Sequence, residues 1–197
     1  MKELTTLHEL FLDELKDLYS AEKQLLKALP RMIKKASSGE LSEGLQKHLG
    51  QTQEHVKRLE QSFADLSVPA RAKKCKGMEG LIEEGEEILE HEGDPDVIDA
   101  GIIAAAQKVE HYEIAAYGTA VAHARTMGHD TVQRLLQSTL DEEYEADKKL
   151  TAVAEGFINR LATAGSDEMD EEDRPASGKS RGRRDAQSDE MRADSSR

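Results

Sequence analysis

Four segments of this chain carry hydrophobic residues at helical spacing, and no other feature restricts the possible folds as strongly. In each segment apolar residues recur every three or four positions, which places them on one face of an α-helix. The segments cover about residues 3–37, 41–66, 94–127 and 130–161. Charged residues make up 34% of the chain and only four residues are proline, a composition that favours long solvated helices over a β fold. The sequence therefore predicts an all-α protein.

The connections between these helices are short, long and short. A short connection makes its two helices antiparallel neighbours, which applies to the first pair and to the second pair. The middle connection has nearly thirty residues and contains a short acidic helix, MEGLIEEGEEILEHEG, so it can run the length of a bundle. This order predicts a four-helix bundle with one long crossover that carries a short extra helix.

Local signals mark several helix ends. Asp94 followed by Pro95 is a cap with proline at the first helical position, and it predicts the start of the third helix. Gly128 predicts the end of that helix, and Asp130 is expected to cap the fourth. Pro30 is expected to kink the first helix near its end rather than to terminate it.

The composition changes sharply after the fourth helix. Residues 163–197 are rich in charge, Ser and Gly, so we expect a disordered tail after a single domain of residues 1–162. The net charge of −13 argues against nucleic-acid binding by the whole protein. No run approaches the roughly 18 apolar residues of a membrane span, and the N-terminus is not a signal peptide. The lone cysteine, Cys75, is expected in a loop. The sequence predicts a cytoplasmic protein.

Each of the four hydrophobic faces is interrupted near its middle by polar side chains. The interruptions are Glu22 in the first helix, Thr52 flanked by His48 and His55 in the second, Glu110 and Glu113 in the third, and Glu143 and Asp147 in the fourth. Because Glu143 and Asp147 are four residues apart, they share one face of their helix. The question is why facing helices direct so many carboxylates towards their common core.

A metal centre answers this question. Several buried carboxylates repel one another and lose hydration, but a multivalent cation among them offsets both effects. Carboxylate and imidazole ligands suit iron or manganese, and two metals bridged by carboxylates are a known arrangement inside helix bundles. A second interpretation, edge residues that reach water or pair with lysine, is favoured for Glu14, His48 and His111. The ensemble of Glu22, Glu110, Glu113, Glu143 and Asp147 favours metal.

An internal similarity supports a two-metal arrangement. The segment LQKHLGQTQEHVKRL (45–59) resembles LQSTLDEEYEADKKL (136–150), at an offset of 136 − 45 = 91 residues. The same offset carries Glu22 onto Glu113, Thr52 onto Glu143 and His55 onto Ala146. Two helix pairs related by one offset predict a pseudo-twofold bundle, and a two-metal site would lie on its axis.

Four stretches of the chain resemble one known family. They are LYSAEKQLLKALP (18–30), HLGQTQEHVKRLE (48–60), KVEHYEIAAYGTA (108–120) and LDEEYEADKKL (140–150). They are similar to the YciE/YciF-type ferritin-like proteins, small bacterial four-helix proteins associated with stress responses. The resemblance covers about residues 3–162 and implies a ferritin-like bundle.

The resemblance also implies a ligand set. Ferritin-like di-iron proteins use Glu on the first and third helices and Glu-x-x-His on the second and fourth, so Glu22 and Glu113 correspond to the single-Glu positions. The second helix keeps only the histidine, His55, and the fourth keeps only Glu143. Glu110 and Asp147 lie close enough along their helices to replace the missing ligands. The metal ligands predicted are therefore Glu22, His55, Glu110, Glu113, Glu143 and Asp147, with Glu113 and Glu143 as bridging carboxylates.

The leading hypothesis is a stress protein with an iron or manganese centre and an oxidase, peroxidase or catalase-like reaction, assembled as a homodimer. A second hypothesis is a metal-free structural or interaction bundle in which Lys and Arg pair with the acids. A third, DNA protection through the basic sequence KSRGRR (179–184), is disfavoured by the acidic charge of the remainder.

Overall fold

The computed structural model describes residues 4–164, and all regular secondary structure in that range is helical. The helices are α1 (Leu7–Lys35), α2 (Gly39–Asp65), α3 (Lys76–Glu90), α4 (Pro95–Thr126), α5 (Asp130–Val153) and α6 (Asn159–Ala164). A π-helical turn, Ala154–Ile158, joins α5 to α6. The prediction of an all-α protein is confirmed. No helix in the described range is both long and apolar enough to cross a membrane. Of the predicted tail, only the first two residues fall in this range, and KSRGRR lies outside it.

The four long helices pack in a ring, in which α1 contacts α2 and α4 while α5 contacts the same two helices. Neighbours run antiparallel, as side-chain contacts at both ends show. His123 near the end of α4 meets Glu14 near the start of α1, whereas Asp99 near the start of α4 meets Ser37 just after α1. The short helix α3 packs on α4 and α1, so the segment between α2 and α4 lies along one side of the ring.

Most of the predicted helix boundaries agree with the structure. Asp94 caps α4 through its side chain, with Pro95 at the first position. Gly128 has a φ of 72°, the left-handed conformation that suits glycine after a helix. Helix α1 continues through Pro30 to Lys35. The predicted cap at Asp130 was wrong: His129 occupies the cap position without a side-chain hydrogen bond, and Asp130 is the first helical residue.

Cys75 lies in the loop before α3, as predicted, but its burial and its contacts were not predicted. It is fully buried and is the N-cap of α3, where its sulfur accepts a hydrogen bond from the Met78 amide at 3.3 Å. The sulfur also lies 2.9 Å from the Tyr112 hydroxyl of α4. Burial raises the pKa of the Cys75 thiol, so its basic sequence neighbours do not activate it. The Cys75 side chain therefore contacts both α3 and α4.

The core of the ring is divided into two hydrophobic clusters. One lies towards the end of α1 and the start of α4 and includes Leu25, Leu45 and Ile102. The other lies towards the start of α1 and the end of α4 and includes Phe11 and Tyr117. Between them lies a polar layer at mid-height, to which each of the four long helices contributes buried ionisable side chains. The sequence interruptions are thus gathered at one level.

Candidate metal centre

The polar layer contains six buried ionisable residues: Glu22 of α1, His48 and His55 of α2, Glu110 and Glu113 of α4, and Glu143 of α5. Each lies on the apolar face of its helix, so the packing that buries the leucines also buries these groups. The helix spacing explains the pairs on α2 and α4. His48 and His55 are two turns apart, and Glu110 and Glu113 are one turn apart, so each pair projects to the same side.

The six residues form two adjacent groups that share one carboxylate. In the first group, ligand atoms of His48, Glu110, Glu113 and Glu143 all lie within 4.8 Å of one another, and the second group joins Glu22, His55 and Glu143 at the same spacing. Such spacings allow one small cation to contact every member of a group. Glu143 is the shared residue, whereas Glu113 belongs to the first group only.

Close approaches of nitrogen to oxygen connect the members of the layer. His55 Nδ1 is 3.0 Å from Glu143 Oε1 and 3.4 Å from Glu22 Oε1. His48 Nε2 is 3.4 Å from Glu110 Oε1. Each group therefore combines one imidazole with carboxylates, the mixture of nitrogen and oxygen donors that iron and manganese accept.

The layer leaves an unusual number of polar atoms without hydrogen bonds. In the described part of the chain, nine buried side-chain nitrogen and oxygen atoms lack a hydrogen-bond partner, and all nine belong to these six residues. Both oxygens of Glu113 and both of Glu143 are among them. Buried polar groups are normally satisfied, because leaving one unpaired costs about 1–3 kcal/mol. These carboxylate oxygens and imidazole nitrogens converge from four helices and can act as metal ligands, so one or two bound cations would give them partners together.

The pKa values of the buried groups also favour a bound cation. Burial, reinforced by the neighbouring carboxylates, raises the pKa values of Glu110 and Glu113 well above that of a free glutamate. Burial also raises the pKa of Glu22. Burial opposes ionisation of His55, but the adjacent carboxylates of Glu143 and Glu22 outweigh it and raise the pKa of His55 to about 11. Without a cation, the layer therefore retains protons that a metal would displace.

Residues outside the two groups hold His55 in place. Its Nε2 donates to Glu142 Oε2 at 2.8 Å, and Arg58 binds both oxygens of Glu142, at 2.8 and 2.9 Å. Because Glu142 holds the proton on Nε2, Nδ1 is the ring nitrogen that faces Glu143 and Glu22, and it would bind a metal after losing its own proton. A carboxylate that fixes the tautomer of a histidine in this way is a frequent companion of metal ligands. On the other side, the buried hydroxyl of Tyr117 donates to Glu22 Oε1.

The structure brings five of the six predicted ligands together and places the sixth elsewhere. Asp147 lies outside both groups: its carboxylate accepts a hydrogen bond from Gln107 at 3.1 Å and approaches His111 at 3.4 Å. Four residues along a helix advance about 6 Å and turn about 40° beyond a full revolution. Asp147 therefore points to the edge between α4 and α5, and its side chain is 21% exposed.

His48 takes the remaining position, although its sequence context favoured an edge residue. It is 6% exposed and belongs to the first group. The signal that could have identified it is its spacing of seven from His55, which keeps both imidazoles on one helix face. Thr52, central in the same face, donates instead to the backbone carbonyl of His48 at 3.1 Å.

Comparison with known proteins gives consistent matches over the helical region. Residues 6–163 match the family described as a domain of unknown function, DUF892. The chain is 41% identical over 160 residues to Protein YciF of Escherichia coli (strain K12), a match that covers 81% of this chain and 96% of that protein.

Solved structures give similar results. The crystal structure of the E. coli stress protein YciF superposes with a TM-score of 0.77 at 41% identity, covering 80% of this chain and 99% of that one. YcfI of Rhodopseudomonas palustris, for which a structural role has been suggested, gives a TM-score of 0.76 at 44% identity, with coverages of 78% and 98%.

Proposed function

The chain belongs to the DUF892 family and is a homologue of the stress protein YciF, and from that premise we propose that it is a ferritin-like four-helix bundle that binds two metal ions in its polar layer. The observation that carries this proposal is the convergence of nine buried, unpaired donor atoms on six residues. One metal would be held by His48, Glu110, Glu113 and Glu143. The other would be held by Glu22, His55 and Glu143, which makes Glu143 the bridging residue.

Iron and manganese are the metals that this donor set suits best. Four carboxylates and two imidazoles supply hard and borderline donors without thiolate, which argues against copper(I) and iron–sulfur clusters. Bound iron or manganese would supply redox chemistry with dioxygen or peroxide, so an oxidase, peroxidase or catalase-like reaction is the class of activity proposed. The protein's own residues would fix the ligand atoms and exclude bulk water. We extend the proposal to a cytoplasmic homodimer, on the family resemblance.

The alternative, a metal-free structural role, requires other partners for the buried glutamates. It requires Lys or Arg to neutralise them, yet the ionic partners of Glu22, Glu110 and Glu143 within the described residues are histidines. Arg58, which is linked to His55 through Glu142, is engaged with that carboxylate. The charge distribution therefore favours a cation over a permanent internal salt bridge.

Metal stoichiometry tests the proposal directly. Protein purified without a metal-affinity tag, or loaded anaerobically with iron(II) or manganese(II), is expected to hold two equivalents by mass spectrometry. Glu143→Ala removes the shared ligand and is expected to lose both equivalents, as is the double variant Glu113→Ala/Glu143→Ala. Glu22→Ala disturbs only the second group and is expected to lose one.

The matched control is Glu54→Ala, because Glu54 lies next to His55 in sequence but its side chain is 55% exposed and pairs with Lys57. It is expected to keep both metals. Wild-type protein without metal after loading, or equal metal content in Glu143→Ala, would refute the proposed function.

The hydrogen bond from His55 to Glu142 gives a second prediction. Glu142→Ala removes the acceptor that holds Nε2 and leaves the His55 ring free to turn, so the affinity for metal is expected to fall by about 10–100-fold. Competition with a chelator of known affinity measures the change. Glu145→Ala on the same helix is the control, since Glu145 is exposed and pairs only with Lys148. Equal affinities in the two variants would show that Glu142 does not position His55.

A further inference from the structure

The polar layer is not sealed equally on all sides. Glu22, His55, Glu113 and Glu143 are completely buried, whereas His48 is 6% exposed and Glu110 is 2% exposed. Both partly exposed residues belong to the first group. Whatever reaches the layer from solvent therefore meets His48 and Glu110 first.

A cavity leads to these two residues from the surface between α2 and α5. Its volume is about 40 Å³, and it is lined by Leu41, Gly44 and Leu45 of α2 and by Ala146, Leu150 and Val153 of α5. His48 and Glu110 also line it. One water needs roughly 10–15 Å³ when volume is measured in this way. The cavity thus accommodates a diatomic molecule or a few waters, and it is far smaller than the roughly 300–1,000 Å³ pockets that hold organic ligands.

The walls discriminate by charge as well as by size. Aliphatic side chains form most of the inner surface, and along that part of the wall an ion would lose hydration without gaining partners. Two lysines, Lys47 and Lys149, line the cavity together with one outer carboxylate, Glu40. The two ammonium groups are close enough for Lys47 to lower the pKa of Lys149. A metal cation approaching this side would be repelled, and an uncharged molecule would not.

We propose that this cavity is the route by which an uncharged molecule of dioxygen size reaches the His48–Glu110 side of the centre, and that Gly44 keeps the route open. This inference rests on the proposed function, because it assigns the cavity a destination. Gly44 is specific because it lines the cavity. A Cβ atom added at Gly44 would have no other atom within 4 Å, so a side chain can be introduced at the cavity wall without a clash at Cβ.

Metal-free protein provides the first test. Xenon is an uncharged atom that binds small apolar cavities, and its binding is followed by the ¹²⁹Xe chemical shift during titration. Wild-type protein is expected to show saturable binding that is lost in Gly44→Leu. Gly50→Leu is the matched control, because Gly50 is an exposed glycine of the same helix that also has no atom within 4 Å of an added side chain and does not line the cavity.

The second test uses iron(II)-loaded protein and nitric oxide, an uncharged diatomic probe, under anaerobic stopped flow. Gly44→Leu is expected to slow the appearance of the nitrosyl spectrum at least about tenfold, equivalent to about 1.4 kcal/mol in the barrier. Its iron content and final amplitude should match those of wild type, and Gly50→Leu should react at the wild-type rate. Ala146→Leu fills the route from the opposite wall and should slow the reaction in the same way.

The two tests separate the possible failures. Protein that binds neither iron nor manganese after loading would refute the proposed function, and this inference with it, whatever xenon does. Protein that binds iron but reacts with nitric oxide equally fast in wild type, Gly44→Leu and Ala146→Leu would overturn the route and leave the metal centre standing. Xenon binding that survives Gly44→Leu unchanged would show that Gly44 does not control the cavity.

Discussion

Loading the metal-free protein anaerobically with iron(II) or manganese(II) is expected to raise its melting temperature by roughly 15–30 °C. A ligand at 1,000 times its dissociation constant contributes about 4 kcal/mol, so two sites contribute about 8 kcal/mol. For a domain of this size, about 1 kcal/mol shifts the melting temperature by about 2–4 °C. Scanning calorimetry before and after addition of metal, and again after a chelator, measures the effect.

The physical basis of this large shift is the set of unsatisfied donors. In the metal-free protein Glu110 and Glu113 retain protons because burial and the adjacent carboxylates oppose their ionisation. Bound metal would displace those protons and would provide ligand contacts for the carboxylates of Glu113 and Glu143, whose oxygens have no hydrogen-bond partner. Glu143→Ala is the control, and its melting temperature should respond little to metal. A wild-type protein with the same melting temperature in metal and in chelator would contradict the two-metal centre.

The opposite effect is expected when a buried acid is removed from the metal-free protein. Glu113→Met is expected to increase the free energy of unfolding of the metal-free form by about 1–3 kcal/mol, because it replaces a buried polar group without a hydrogen-bond partner by an apolar one of similar volume. Glu113 is fully buried and neither of its oxygens has a hydrogen-bond partner. The variant gains a hydrophobic contact and loses a repulsive neighbour of Glu22, Glu110 and Glu143.

Chemical denaturation of wild type and Glu113→Met, each with metal and with chelator, measures this prediction. The order of stability should reverse: the variant is more stable in chelator, and wild type is more stable in metal. Glu54→Met is the control, because an exposed substitution is expected to stay within about 0.5 kcal/mol under both conditions. A metal-free Glu113→Met protein that is less stable than wild type would mean that Glu113 has a structural partner in the folded state.

The helices were predictable because burial follows a simple period. Leucines that recur every three or four residues lie on one face of a helix, and this face is buried only when the helix packs against others. Gly128 and Pro95 mark helix ends through the backbone conformations that these residues favour. The cap at Asp130 was mispredicted because Asp at a cap and Asp in the first helical turn are both favourable, for different reasons. The loop position of Cys75 was predicted, but its burial was not, because the burial depends on α4 and Tyr112 is 37 residues away.

The burial of most of the site residues could likewise be predicted from the sequence, but their contacts could not. Glu22, Glu110, Glu113 and Glu143 stood out because each interrupts an apolar stripe, and the structure buries all four. The direction of a side chain within the stripe was less predictable: Asp147 is one turn from Glu143 yet faces Gln107, whereas His48 turns inward. Helical periodicity gives the face to within tens of degrees, but the neighbouring helix decides which atoms come within reach. The network of Glu142 and Arg58 could not be inferred, because it joins two helices that are not consecutive.

The polar layer between the two hydrophobic clusters also has a consequence for how the helices align. Moving one helix by a single turn past its neighbours would shift it by about 5.4 Å along its axis. Such a slide would bring a leucine level with the carboxylates and carry Glu22 or Glu143 into a hydrophobic cluster, where it would meet neither imidazole. A core made only of leucines would tolerate several such alignments, since one leucine resembles the next. The acids and histidines thus set the register of the four helices, in the way that a single buried asparagine sets it in a coiled coil.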